Sequence, residues 1–196
     1  MEQLGVFLEM ESEDANLLRE HTVDFISFSY YSSRVAAATS SNQETADANV
    51  FASLRNPYLE VSEWGWQIDP KGFRTTMNQL YDRYQKPLFV VENGLGAMDT
   101  VTETQEIHDS YRIDYLQAHI QAMHDAIKHD GVELWGYTSW GCIDLVSAST
   151  GEMSKRYGYI HVDYDDTGKG TGKRTPKQSY YWYKDVIASN GAMFDK

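Results

Sequence analysis

Nine residues, Leu88-Phe89-Val90-Val91-Glu92-Asn93-Gly94-Leu95-Gly96, set one carboxylate where a run of β-branched and aromatic residues gives way to glycines. An ionised carboxylate is costly to bury without partners, so packing alone does not account for Glu92 at the end of such a run. In parallel α/β folds the C-terminal ends of strands are where the chemistry is carried out. Glu92 is therefore the first candidate for a catalytic group. A turn or capping Glu at the solvent end of a strand fits the same nine residues, and taken alone they leave both readings open.

Around this turn the pattern alternates strand with helix. Strand-like runs are predicted over residues 24–31 (DFISFSYY), 87–92 (PLFVVE) and 133–140 (ELWGYTSW). Between the last two, residues 111–128 place Ile113, Leu116, Ile120, Met123 and Ile127 at three- and four-residue spacing, the stripe of an amphipathic helix. Residues 73–84 do so less cleanly, and a short helix over 180–187 closes the chain. Strand, helix, strand, helix, strand implies parallel pairing in a single α/β unit spanning 1–196. Residues 34–58, rich in Ala, Ser, Thr and Asn, read as a long loop after the first strand, where loops commonly contribute to a site. Residues 165–177 (DDTGKGTGKRTPK) read as a mobile turn.

At 196 residues with 41% apolar content the chain can bury a core, yet it is short for a closed eight-stranded α/β barrel, which takes about 250 residues. Seventeen Lys and Arg against 29 Asp and Glu give a net charge of −12, which opposes nucleic-acid and anionic-membrane surfaces. One cysteine excludes an internal disulfide framework, and no apolar leader or membrane-length apolar run is present, so a cytoplasmic setting is expected. His119, His124 and His129 recur every five residues and do not share a helix face, so no metal and no other cofactor is expected. Cys142 lacks a nearby His and acid in sequence and is expected to be small buried packing.

The strings DFISFSYY, PLFVVENG and GYTSWGCIDLVSASTGEMSKRYGYIHVD resemble the sixth, seventh and eighth strand segments of family 1 glycoside hydrolases, specifically the 6-phospho-β-glucosidases. E-N-G alone is a weak pattern; followed about fifty residues later by S-W-G-C-I-D-L and K-R-Y-G it is strong. The resemblance implies a retaining β-glycosidase on a (β/α)8 barrel, of which this chain is the C-terminal portion, about strands 6–8. It places Glu92 as nucleophile and Tyr31 as the tyrosine that contacts and orients it; a donated hydrogen bond keeps such a carboxylate ionised and fixed. Tyr30 and Tyr31 point to opposite sides of a strand end, so only one can face the site. Ser29 stands where many members have Asn. Trp140 matches the floor beneath the sugar, while Trp64, Trp66, Trp135 and Trp182 read as ordinary packing.

Ser147, Lys155 and Tyr157 match the residues that hold the 6-phosphate in the phospho-glycosidase branch, a fixed cation with neutral donors. Ser147-Ala148 stands where non-phosphorylated members carry Glu-Trp, and Ala148 resembles the gluco-preferring subgroup. The implied substrate is a phosphorylated β-glucoside such as cellobiose 6'-phosphate. Retention needs a second carboxyl about 5–5.5 Å from the first. The family takes it from an N-E-P motif, and that tripeptide is absent here. The chain alone is accordingly expected to be inactive, to self-associate or pair with an N-terminal barrel part, or to remain as a sugar-phosphate-binding or inert remnant.

Overall fold

The computed structural model describes residues 5, 7, 9–36, 45–46 and 53–194. In chain order these form α1 (Asp14–Glu20), β1 (Ile26–Ser29), β2 (Thr45–Ala46), β3 (Ser53–Leu54), α2 (Pro70–Tyr84), β4 (Leu88–Glu92), α3 (Ser110–Asp130), β5 (Leu134–Tyr137), β6 (Ile160–Val162), β7 (Arg174–Pro176) and α4 (Gln178–Ala188), closed by a 3-10 turn over Ala192–Phe194. The three sequence-predicted strands are β1, β4 and β5. They form one parallel sheet in the order β1-β4-β5, with Ile26 opposite Leu88, Phe28 opposite Val90 and Leu88 opposite Leu134.

Local chemistry sets the helix ends. Asp69 caps α2 by accepting the Gly72 amide at 2.8 Å, Pro70 occupies the first turn where its missing N–H costs nothing, and Gly131 ends α3 at a positive φ of 73°. Across the helix surfaces Arg74 makes a two-pronged contact with Asp130 at 2.6 and 2.7 Å. Beneath it, Phe73 and Met77 of α2 and Ala122, Met123 and Ala126 of α3 pack on Leu88 and Val90, forming the main core on one face of the sheet. A second cluster joins Leu95, Ala97, Tyr115, Leu116 and Tyr159.

The other sheet face is open. Phe25, Val91 and Trp135 are 42%, 40% and 57% exposed, with the Phe25 ring 6.4 Å from Phe89 and 5.7 Å from Trp135. Purely parallel sheets are covered on both faces. Here β1 and β5 also leave their outer edges unpaired among the described residues, so the three strands form part of a barrel wall and no closed barrel.

Four sequence expectations change. The buried face of α3 runs through Arg112, Tyr115, Leu116, His119, Ala122, Met123 and Ala126, while Ile127 is 49% exposed. The helix is rotated from its aliphatic stripe because Arg112 and His119, polar residues, find partners inside. Residues 165–177 are more than a turn: β7 falls within them and pairs antiparallel with β6, the loop between is bonded from within, and Lys177 is fully buried. Cys142 is exposed, because the chain leaves the sheet beside the unpaired edge of β5 and runs along a groove lined by Tyr137, Ser139 and Tyr159. Within the long loop, β2 and β3 pair antiparallel; residues 37–44 and 47–52 of that loop lie outside the described residues.

Candidate active site

Glu92 is the last residue of β4, beside Ser29 of β1, and its carbonyl accepts the Tyr30 amide at 2.9 Å. The next residue, Tyr31, leaves the strand with its ring on the Glu92 side, and its hydroxyl donates to Glu92 Oε2 at 3.0 Å. Burial, followed by the Glu92 charge, pushes the Tyr31 phenol far above its ordinary range, so it stays a donor. Tyr30 turns the other way into the core, where its hydroxyl meets Ser33 at 2.7 Å and donates to the Asp69 carbonyl at 3.0 Å.

Sequence reasoning passed over Asn93, which is fully buried. Its amide donates to the Tyr30 carbonyl at 2.8 Å and to the Tyr115 hydroxyl at 2.9 Å, while its Oδ1 accepts from Tyr137 at 2.9 Å. One side chain thus ties the turn after Glu92 to β1, α3 and β5. Trp140 lies against the same turn through its amide, which donates to the Asn93 carbonyl at 2.8 Å. A Cβ at Gly94 would collide with the Trp140 carbonyl oxygen, which accounts for the glycine.

Lys155 lies with its chain against Gly96, where an added Cβ would come within 2.9 Å of Lys155 Cγ and 3.0 Å of Tyr157 Cζ. It is 1% exposed, and its Nζ has no hydrogen-bond partner among the described residues. Three aromatic rings surround that ammonium: Trp66 at 4.3 Å, Trp64 at 5.4 Å and Tyr157 at 5.8 Å. Burial lowers the Lys155 pKa from its ordinary value, partly offset by the Glu152 charge, and raises Tyr157 to about 12. Trp66 also meets the Tyr31 ring edge-on at 5.3 Å, so a single indole spans from Lys155 to the tyrosine on Glu92. The sequence reads Trp64 and Trp66 as packing; the W-G-W string at 64–66, ahead of α2, is the signal it carries. Ser147 is buried, but its hydroxyl is bonded within its own loop, accepting from Thr150 at 2.9 Å. Lys155 and Tyr157 are brought together, then, while Ser147 is not joined to the ammonium.

A buried ionic network holds these loops to one another. Arg112 donates to Asp109 at 2.9 Å, to Asp99 at 2.8 Å, and to the carbonyls of Leu95 and Arg156 at 2.5 and 3.1 Å. Arg156 reaches Asp144 at 3.3 Å, and Lys177 bridges Asp144 at 2.7 Å and Asp99 at 2.5 Å. Three cations face three carboxylates, so the cluster is neutral. Because Arg112 spans Leu95 and Arg156, it joins the turn after Glu92 to the segment carrying Lys155 and Tyr157.

A three-stranded parallel sheet with a tyrosine-held carboxylate at a strand's C-terminal end fits part of an α/β-barrel wall, with the candidate site where such folds carry it. Its family follows from comparison: the Glycosyl hydrolase family 1 model matches residues 1–192, and the chain belongs to that family. It is 62% identical over 187 residues to 6-phospho-beta-glucosidase AscB of Escherichia coli (strain K12), covering 95% of this chain and 39% of that protein. It is 59% identical over 187 residues to aryl-phospho-beta-D-glucosidase BglH of Bacillus subtilis (strain 168), covering 95% and 40%. Among solved structures, a family 1 β-glucosidase from Thermotoga maritima superimposes with a TM-score of 0.72 at 34% identity, covering 87% of this chain and 36% of that one. The chain thus spans about 40% of the length of the curated relatives it matches. No helix among the described residues is long and apolar enough to cross a membrane.

Proposed function

We propose that this chain is the nucleophile- and phosphate-bearing portion of a retaining 6-phospho-β-glucosidase. The observation that carries the reading is the buried, unpartnered Lys155 ammonium linked through Trp66 to the Tyr31–Glu92 pair. A buried cation with an unused donor is complementary to a phosphate group, and Tyr157 adds a neutral hydroxyl beside it. In this reading Glu92 attacks the anomeric carbon, forming a glycosyl ester as the bond to the aglycone oxygen breaks. A second carboxyl protonates that oxygen and then takes a proton from the water that releases the sugar. The acid/base carboxyl is assigned to the part of the barrel that this chain does not span, since it holds no N-E-P tripeptide. The substrate is a phosphorylated β-glucoside, with Trp140 beneath the sugar and Ser147, Lys155 and Tyr157 on the phosphate.

The open face bearing Phe25, Val91 and Trp135 and the two unpaired strand edges support a partner for this chain. Either a second copy or a separately supplied N-terminal barrel part would cover them. The test measures chromophore release from p-nitrophenyl β-glucoside 6-phosphate and its unphosphorylated analogue. The chain is assayed alone and after mixing with the N-terminal part of a family member. Turnover of the phosphorylated substrate is expected only in the mixture and is lost in Glu92→Gln. Turnover that survives Glu92→Gln, or an equal rate on the unphosphorylated analogue, overturns the proposal.

A further inference from the structure

Lys155 is a single residue suspended between two backbone attachments. On its C-terminal side Arg156 exchanges amide and carbonyl with Ala97, both bonds at 3.0 Å, and its carbonyl also accepts from Arg112. On its N-terminal side the attachment comes from a different part of the chain. One carboxylate oxygen of Asp166, Oδ1, accepts the amide of Met153 at 2.6 Å and that of Ser154 at 2.7 Å. Asp166 lies in the turn between β6 and β7, and that turn is braced from within. Asp165 Oδ1 accepts the amides of Thr167 and Lys169, both at 2.9 Å, and Asp163 Oδ2 accepts the Thr171 hydroxyl at 2.5 Å. The carboxylate therefore sits on a stiff base and holds the two residues that precede Lys155.

We propose that Asp166 is a positioning residue: through the Met153 and Ser154 amides it fixes the backbone from which Lys155 enters its aromatic cage. The inference rests on Lys155 being a phosphate ligand. Its sign is unusual. Asp166 is exposed and adds negative charge near a site for an anion, so if charge alone governed, removing it would tighten binding. If position governs, removing the acceptor weakens binding, because an ammonium displaced from its place loses a distance-dependent, charge-assisted contact. The Ser154 hydrogen bonds hold the Asp166 carboxyl below its ordinary range, which accords with an ionised acceptor at neutral pH.

The experiment compares the 196-residue chain with Asp166→Ala, Asp166→Asn and Lys155→Ala. Glucose 6-phosphate is titrated by tryptophan fluorescence, and the Lys155 ε-methylene proton shift, displaced by the rings of Trp64 and Trp66, reports where the lysine sits without any ligand. Asp166→Ala is expected to weaken binding about tenfold and to move the ε-methylene shift toward the free-lysine value. Asp166→Asn, which keeps the acceptor oxygen and removes the charge, is expected to restore both. Unchanged or tighter binding in Asp166→Ala overturns the proposal while loss of binding in Lys155→Ala keeps the phosphate reading. Equal losses in the Ala and Asn variants also overturn it, since an acceptor oxygen kept at that place would then fail to hold the backbone that carries Lys155. If the parent chain does not bind glucose 6-phosphate, or Lys155→Ala binds as the parent does, the phosphate reading fails. The ε-methylene shift then decides: no movement in Asp166→Ala refutes positioning.

Discussion

Replacing Lys177 by Met tests the ionic network that joins the turn after Glu92 to the Lys155 segment. Lys177 is fully buried, with Nζ at 2.5 Å from Asp99 and 2.7 Å from Asp144. Methionine keeps much of the volume and removes the charge, leaving two cations facing three carboxylates. Removing one partner of a buried ion pair typically costs about 3–5 kcal/mol, because the remaining charge stays desolvated. Here both carboxylates keep other donors. Asp99 retains Arg112 at 2.8 Å and Tyr111 at 2.6 Å, and Asp144 retains Arg156 at 3.3 Å and the Gly158 amide at 2.9 Å. The expected loss therefore falls at the lower end, about 3 kcal/mol at pH 7. Urea unfolding followed by tryptophan fluorescence reads it as a lower midpoint at unchanged slope.

The pH dependence carries a sign. Burial pushes the Asp99 carboxyl up, and Arg112 and Lys177 outweigh it, so its native pKa lies below the ordinary value. A depressed carboxylate contributes stability above its unfolded pKa of about 3.9 and loses it as pH falls through the native value. Lys177→Met removes part of that contribution, so the gap between parent and variant is widest above about pH 4 and narrows below it. A destabilisation under about 1 kcal/mol at pH 7, or a gap that widens on acidification, refutes the reasoning.

Two further outcomes follow from groups elsewhere in the chain. His119 is fully buried, with Nδ1 at 2.8 Å from the Tyr115 carbonyl, its ring stacked on Tyr115 at 4.0 Å and near Phe73 and Tyr30; burial lowers its pKa to about 4 despite the Asp69 charge. The unfolded chain then binds the extra proton between about pH 6.5 and 4, so stability falls with pH across that window, by up to about 3 kcal/mol. His119→Phe should flatten the slope in parallel urea titrations, and an unchanged slope would dismiss the assignment. On the open sheet face, Trp135→Lys places a charge where Phe25 and Trp135 meet. Light scattering across concentrations is expected to show self-association in the parent chain and less in the variant, and a parent that stays monomeric counts against self-pairing.

The sequence by itself determined the parallel strand-helix-strand order, the presence of a carboxylate at the end of β4 and the family resemblance. Each of these is a local pattern: a run of β-branched residues, a three- and four-residue stripe, or a short string of adjacent residues. The choice between Tyr30 and Tyr31 was half legible, because alternation says that one faces each way. Which of them meets Glu92 depends on the register with β4 and the turn after it. The tertiary structure alone decided the true buried face of α3, since hydrophobicity cannot anticipate that Arg112 finds Asp99, Asp109 and two carbonyls inside. It alone placed Trp64 and Trp66 around Lys155 and buried Lys177 at the end of what reads as a mobile turn. Such placements rest on partners far away in the chain: Lys177 reaches Asp99 and Asp144, and Asn93 joins residues 30, 115 and 137. Burying a polar group costs free energy unless a partner is present. Partners of that kind are brought together by the fold as a whole, and no short window of sequence contains both members.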